Sequence, residues 1–313
     1  MAWILAGTST GLVSITPGAG GALGGLEGRD VRALAPQTWT RLWAIVDGRE
    51  IWRTGEDSAW SPVASTEGAP ELRELELTCL ADTRANILGG ILAGTSHARL
   101  LRVDGAGRLD VVESFDRAPG RDGWFTPWGG PPAVRTITED GERVLVNVHV
   151  GGVLRSRDEG ASWEPTLDIR ADVHRVVTGA GRVYAAGATG LSVSEDGGDG
   201  WRLSAEGLHA AYCRSIAVCG DALLLSASEG PHGARAALYR SSLEGRRFER
   251  CREGLPEWFE GNLDSLSVDA LPDGGLAAFA TESGDVYAST DQGASWAREA
   301  AGLGQVRCVL TLP

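Results

Sequence analysis

Residues 156–163 read Ser-Arg-Asp-Glu-Gly-Ala-Ser-Trp, and the pattern S-x-D-x-G-x-x-W returns at residues 194–201 and 289–296. Residues 241–248 form a degenerate copy with Leu243 in place of the aspartate. Residues 53–60 contain another, which keeps an acid and a tryptophan but is one residue short when counted from Thr54. In such a segment the aspartate accepts hydrogen bonds from its own turn, the glycine adopts a positive φ and the tryptophan fills a gap between neighbouring repeats. Each copy therefore predicts a β-hairpin.

The spacing of the copies predicts the size of the repeat. From residue 156 onward they begin 38, 47 and 48 residues apart, which is the length of a four-stranded propeller blade. Seven inner strands are predicted, beginning at Val31, Leu77, Val134, Val173, Cys213, Leu263 and Val306. Seven second strands are predicted at residues 3–7, 42–46, 91–94, 144–148, 183–186, 223–226 and 276–280.

The two ends of the chain complete each other in this scheme. The last inner strand, residues 306–312, has no successor, and the first second strand, residues 3–7, has no predecessor. Pairing them closes the ring and removes exposed sheet edges. The sequence therefore predicts an all-β, seven-bladed β-propeller that forms a single domain over residues 1–313.

These motifs resemble those of the BNR or Asp-box propeller superfamily, which includes sialidases, sortilin-type receptors and photosystem II assembly factors. The resemblance implies that the Asp boxes lie on outer hairpins, away from the functional face, so Ser156 and Asp158 are given no catalytic role. A sialidase is disfavoured, because the chain lacks the family's Arg-Ile-Pro motif and has seven predicted blades where sialidases have six.

Composition limits the partners. The net charge is −13 with a pI of about 4.9, which argues against nucleic acid or an anionic membrane as the partner. All basic side chains other than histidine are arginines, which suit fork-shaped contacts with carboxylate, sulfate or phosphate. The short apolar run after Met1 predicts no signal peptide or membrane span, and five cysteines without a CxxC pair predict reduced thiols and a cytoplasmic location.

Alignment of the inner strands places one polar residue of each blade in a common position, here called the inner-strand column. Its members are Arg32, Thr78, Arg135, His174, Arg214, Asp264 and Arg307. Two interpretations stay open: these side chains bind a ligand at the channel mouth, or Asp264 and nearby acids pair with the arginines as structural struts.

Four of the five histidines fall at the same end of adjacent predicted blades: His149, His174, His209 and His232. They predict either a divalent metal site for Zn²⁺ or Mn²⁺, with Asn147, Asp172 or Asp264 adding an oxygen, or an acid–base pair acting on a substrate. His97 is interpreted as a loop residue.

Two long loops carry aromatic residues, at 123–132 and 254–262. Trp128 and Trp258 are predicted to form stacking walls for a sugar or flat ligand, whereas Phe125 and Phe259 are interpreted as plugs of the channel mouth. Tyr212, Glu229, Glu260, Asn262 and Asp264 complete the predicted polar lining.

Two functions follow from these predictions. The first is a hydrolase or lyase for a small anionic or glycan-like substrate, with His149, His174, His209, Asp264 and Tyr212 as catalytic candidates. Its substrate-binding candidates are Arg135, Arg214, Arg307, Trp128, Trp258, Asn262 and His232. The alternative is a non-catalytic propeller that binds a protein or peptide with the same face.

Overall fold

The computed structural model describes residues 2–55, 58–83, 90–104 and 106–313. In these residues 28 strands form seven four-stranded antiparallel sheets, which confirms the seven-bladed β-propeller. The chain divides into two compact units, residues 1–30 with 177–313, and residues 31–176. The acidic residues of the copy at residues 53–60, Glu56 and Asp57, lie outside the described part of the chain.

Each sheet consists of consecutive strands, apart from the first. In the first half of the chain the strands are β1 (Trp3–Thr8), β2 (Gly11–Thr16), β3 (Gly20–Gly25); β4 (Val31–Pro36), β5 (Leu42–Val46), β6 (Glu50–Thr54), β7 (Trp60–Ser65); β8 (Leu77–Thr83), β9 (Gly90–Thr95), β10 (Leu100–Val103), β11 (Leu109–Val111); and β12 (Val134–Asp140), β13 (Arg143–Val148), β14 (Gly152–Ser156), β15 (Glu164–Leu167).

The remaining strands are β16 (Val173–Gly179), β17 (Arg182–Gly187), β18 (Gly190–Ser194), β19 (Arg202–Ser204); β20 (Ile216–Cys219), β21 (Ala222–Ala227), β22 (Ala237–Ser242), β23 (Glu249–Arg250); β24 (Val268–Ala270), β25 (Ala277–Ala280), β26 (Val286–Ser289), β27 (Ala297–Ala300); and β28 (Val306–Leu312). Strand β28 pairs with β1 and completes the sheet β28–β1–β2–β3, so the predicted closure is confirmed. One short α-helix, α1 (Glu113–Asp116), and two 3-10 turns, Thr66–Gly68 and Arg121–Gly123, interrupt the described strands.

Five of the seven inner strands begin at the predicted residue, and two begin later. The prediction for Cys213 is wrong because Ser215 bonds to the side chain of Ser226, at 2.8 Å, and the ladder starts only at Ile216. The prediction for Leu263 is wrong because the residues after it form a turn, with the amide of Ser267 bonded to the carbonyl of Asp264 at 3.0 Å.

The inner-strand column coincides with a repeated β-bulge. In four blades the register between the inner and second strands shifts at the column residue: Arg32, Thr78, Arg135 and Arg307. A bulge leaves one residue without a single cross-strand partner and redirects its side chain. The bulge therefore explains why a polar residue interrupts the alternating apolar pattern of each of these strands.

The Asp boxes are closed hydrogen-bonding units. In the last of them Ser289 Oγ donates to Asp291 at 2.7 Å and accepts from the amide of Gly293 at 2.8 Å, while Asp291 also accepts from the amide of Ser295 at 2.9 Å. Burial works to raise the pKa of Asp291, but these bonds outweigh it and hold the pKa at about 2. The carboxylate is committed to its own turn.

This arrangement predicts an acid-sensitive contribution to stability. Because the pKa of Asp291 falls from 3.8 to about 2 on folding, its contribution is fully present above about pH 4 and is lost as the pH falls through 2. We expect Asp291→Ala to lower the free energy of unfolding at pH 7, with a smaller difference from wild type at pH 3. Urea unfolding across this pH range measures the effect, and a difference that does not shrink would contradict it.

Candidate metal centre

The backbone brings the end of β13 beside the start of β16, both within residues 31–176. His149 follows β13 directly, and its carbonyl accepts a hydrogen bond from the amide of Val173 at 3.0 Å. Val150 forms an antiparallel bridge with Asp172. Because Asp172 and His174 lie two residues apart in extended backbone, their side chains project to the same side, next to His149.

Three side chains meet at this point. Nε2 of His174 lies 3.1 Å, and Nε2 of His149 lies 3.3 Å, from the same carboxylate oxygen, Asp172 Oδ1. All three ligand atoms lie within 4.8 Å of one another. His174 is fully buried and His149 is 5% exposed, whereas 18% of the Asp172 side chain is exposed. The carboxylate therefore forms the solvent-facing side of the cluster.

The neighbours of Asp172 hold its carboxyl group in the ionised form. Burial works to raise its pKa, but His174, His149 and the charge of Arg135 outweigh burial, so the pKa lies below its usual value of 3.8. Among the described residues, none gives Asp172 Oδ1 a hydrogen bond of normal geometry. A buried anionic oxygen in this state is suited to a cation.

The structure distinguishes between the oxygen donors that the sequence left open. The Asn147 amide is fully buried; its oxygen accepts from Thr136 Oγ1, and its nitrogen donates to the carbonyl of Val173 at 2.8 Å. This amide therefore ties strands together. Asp264 belongs to an ion pair with Arg214, and Asp172 is the carboxylate found beside the histidines.

Two of the spacings within this group suit a divalent ion. Ligand atoms about 2.1 Å from a tetrahedral zinc ion lie about 3.4 Å from one another. The two contacts of Asp172 Oδ1, at 3.1 and 3.3 Å, are close to that spacing. Two imidazoles and one carboxylate also match the donor set of zinc sites that keep open positions for water and substrate.

Aromatic side chains border this cluster. The ring of Trp128 lies 6.0 Å from that of His149 and is tilted by 50°. Trp128 is 62% exposed and Phe125, on the same loop, is 49% exposed. The predicted wall at Trp128 therefore presents an open ring face next to a candidate ligand, and the predicted plug at Phe125 is a solvent-exposed ring.

His209 and Trp258 form a second cluster, within residues 1–30 and 177–313. Nδ1 of His209 lies 2.7 Å from the hydroxyl of Tyr239, and the two rings stack at 11°. The Trp258 ring lies 4.8 Å from His209 and carries the guanidinium of Arg250 at 3.7 Å. Tyr239 and Arg250 lie on the outer strands β22 and β23 and were not among the predicted site residues.

The candidate-metal group contains neither His209 nor His232. His232 is exposed on the insertion between β21 and β22, which Asn262 holds in place. The buried Asn262 amide accepts from Ser228 Oγ at 2.6 Å and donates to the carbonyl of Pro231 at 2.9 Å. Tyr212 is 9% exposed, and its carbonyl accepts from the amide of Ser228. These contacts give Asn262 and Tyr212 structural bonds at the base of the insertion.

The arginines of the inner-strand column lie beside acids. Arg214 pairs with Asp264 at 2.9 Å, Arg307 with Asp30 at 3.0 Å, and Arg32 with Glu76 at 3.0 Å. These pairs are the struts that one interpretation of the column expected. The charge of Arg135 acts on Asp172 of the candidate metal centre.

The cysteines do not contribute to either cluster. All five are buried with free thiols. Burial raises the pKa of Cys79 to about 12 and that of Cys251 to about 11, so these groups remain protonated at neutral pH.

No described helix has the length and apolar character needed to cross a membrane.

Several solved structures are similar to this chain. No protein-family model matches the chain, and no curated protein matches it. The chain is similar to the GH74 xyloglucanase from Xanthomonas campestris, with a TM-score of 0.62 and 19% identity over 86% of this chain and 45% of that one. It is also similar to YCF48 bound to a D1 peptide, with a TM-score of 0.57 and 14% identity over 86% and 82% of the two chains.

A third similar structure is a Bacteroides uniformis protein provisionally described as a 6-phosphogluconolactonase, with a TM-score of 0.66 and 12% identity over 99% of each chain. The chain spans less than half of the xyloglucanase, 45% of its length. At such identities the likeness establishes the fold alone: a seven-bladed β-propeller, shared by glycoside hydrolases, lactonases and non-catalytic binding proteins.

Proposed function

We propose that the chain is an enzyme, a metal-assisted hydrolase or lyase for a small anionic or glycan-type substrate. His149, Asp172 and His174 hold its divalent ion, zinc or manganese. The observation that carries the proposal is the approach of two buried imidazole nitrogens to one carboxylate oxygen, at 3.1 and 3.3 Å. Three protein ligands leave coordination positions for water and substrate, as catalytic rather than structural zinc sites do.

Each side chain has a definite part in this proposal. A bound divalent ion would supply Lewis-acid polarisation of a substrate oxygen or of a water molecule. The buried histidines would contribute nitrogen donors held in place by packing, and Asp172 would contribute a negative charge on the solvent side. The exposed ring of Trp128 offers a stacking surface for a sugar or another flat group beside His149.

Arg135 supplies the selectivity for an anion. It lies at the bulge of β12, and its charge reaches Asp172. An arginine in this position can orient an acid group of the substrate through a two-pronged contact. The substrate then combines a planar or cyclic part, set against Trp128, with a carboxylate, phosphate or sulfate directed at Arg135.

The experiment is a substrate panel with matched histidine variants. The purified protein is assayed on aryl glycosides, lactones, and phosphate and sulfate esters, before and after treatment with a chelator. We expect turnover of at least one class, lost on chelation, restored by zinc or manganese, and abolished in a folded His149→Ala protein. The control His232→Ala, at an exposed histidine outside the metal group, keeps its turnover. Equal activity of the two variants would show that the candidate metal centre takes no part in the reaction.

A second candidate function has one observation in its favour. Phe125 and Trp128 expose 49% and 62% of their surface on a single loop, which also suits a non-catalytic propeller that holds a peptide. This alternative predicts no turnover and no stoichiometric metal, and a protein partner whose capture is lost in Trp128→Ala. Such a result, with an inactive and metal-free wild type, would replace the enzymatic proposal.

A further inference from the structure

An arginine-rich segment stands out in an acidic protein. Residues 235–252 contain six arginines and two glutamates, although the whole chain carries a net charge of −13. The arginines are Arg235, Arg240, Arg246, Arg247, Arg250 and Arg252. The segment spans the outer strands β22 and β23, where exposed charge often serves only to prevent edge-to-edge aggregation. The surroundings of Arg250 show a more specific arrangement.

Arg250 is held flat by a chain of ring contacts. Its guanidinium carbon lies 3.7 Å from the centre of the Trp258 ring. Trp258 rests against His209 at 4.8 Å, and the hydrogen bond of 2.7 Å between His209 and Tyr239 fixes that imidazole. A guanidinium stacked on an indole keeps its N–H edge available for a ligand in its own plane. The stack therefore preorganises Arg250 for an oxyanion.

The same residues line an open groove. His209, Tyr239, Arg250, Arg252 and Trp258 border a space of about 720 Å³. Two acids, Glu249 and Glu257, also line it. Within the described part of the chain, however, no carboxylate lies within ion-pair distance of Arg250 or Arg252. Two guanidinium groups therefore face the groove without an internal counter-ion.

We propose that this groove is an anion site, in which Arg250 and Arg252 bind the carboxylate, phosphate or sulfate group of a small ligand. Arg250 makes the contact, and Trp258 is a positioning residue that acts through it. His209, which the sequence placed with His149 and His174, belongs to this anion site, where it supports Trp258. The inference does not rest on the proposed metal chemistry.

The test titrates the full-length protein with inorganic phosphate, sulfate and acetate at low ionic strength, where exposed charges are least screened. Binding is followed by the NMR signals of arginine side-chain N–H groups. We expect saturable shifts of the Arg250 and Arg252 signals, and at least about tenfold weaker binding in Arg250→Gln, the loss expected for charge-assisted hydrogen bonds. Stronger binding of phosphate and sulfate than of acetate would assign a tetrahedral anion, and the reverse order a carboxylate.

The matched control is Arg246→Gln. This substitution removes the same charge from an exposed arginine four residues earlier that does not line the groove. We expect less than a twofold effect. Trp258→Ala should weaken binding as Arg250→Gln does, and Trp258→Phe should restore most of it. Equal losses in Arg246→Gln and Arg250→Gln would show a diffuse charge effect, and they would overturn the proposal, as would non-saturable shifts in the wild type.

Discussion

Alanine in place of His174 is expected to weaken the binding of a zinc or manganese ion by more than about 100-fold. His174 is fully buried, and its Nε2 lies 3.1 Å from Asp172 Oδ1. Changes to groups that merely support a ligand already cost 10- to 100-fold in affinity, so loss of a ligand should cost at least as much. Competition with a chromophoric chelator measures the affinity, and circular dichroism verifies that the variant is folded.

Two other histidines provide the controls for this prediction. His209→Ala and His232→Ala remove imidazoles that lie outside the group of His149, Asp172 and His174. Both are expected to bind the ion as the wild type does. A four-histidine site, which the sequence left open, would instead be weakened by all of these substitutions. Uniform weakening, or none in His174→Ala, would contradict the three-residue centre.

A single methyl group at Gly254 is expected to destabilise the protein by more than about 4 kcal/mol. Gly254 has a φ of +76°, and a Cβ there would lie 1.7 Å from the carbonyl oxygen of Trp296. The neighbouring Glu253 accepts a hydrogen bond from the amide of Trp296 at 3.1 Å, so the two segments cannot separate freely. Urea unfolding of Gly254→Ala compared with wild type measures the loss.

The chain offers a matched control for this glycine. Gly302 precedes a leucine, as Gly254 does, and has a φ of +67°, but a Cβ there would meet nothing within 4 Å. Gly302→Ala should therefore cost only the backbone term of about 1–2 kcal/mol. The difference between the variants isolates the close approach to Trp296. Equal losses would show that the left-handed backbone alone, rather than this approach, requires the glycine.

The fold was predictable because the three full Asp-box hairpins form through local hydrogen bonds and recur at the spacing of a blade. Ser289, Asp291 and Gly293 close their hairpin through hydrogen bonds within a few residues. Such a hairpin can therefore be recognised from the sequence without knowledge of its tertiary contacts. The paired ends, β1 and β28, followed from counting strands. The start at Cys213 was missed because the Ser215 amide bonds to the Ser226 side chain, and the start at Leu263 because a backbone turn joins Asp264 and Ser267.

The site was predictable only in part, for a different reason. His149 and His174 are placed by strand ends, where topology fixes the direction of the side chain, and the structure brings them together. His209 and Trp258 lie on loops, whose course depends on contacts with Tyr239 and Arg250 that no sequence period encodes. Asn262 was predicted to be a polar lining residue, but its amide is engaged in hydrogen bonds to Ser228 and Pro231 of the insertion.

A metal site formed by one carboxylate and two imidazoles can be located by anomalous diffraction from crystals grown with zinc. We expect one anomalous peak about 2.0–2.2 Å from Nε2 of His149, Nε2 of His174 and an oxygen of Asp172. Data collected on both sides of the zinc absorption edge identify the element. A zinc peak bound elsewhere, with these three side chains free of metal, would contradict the assignment.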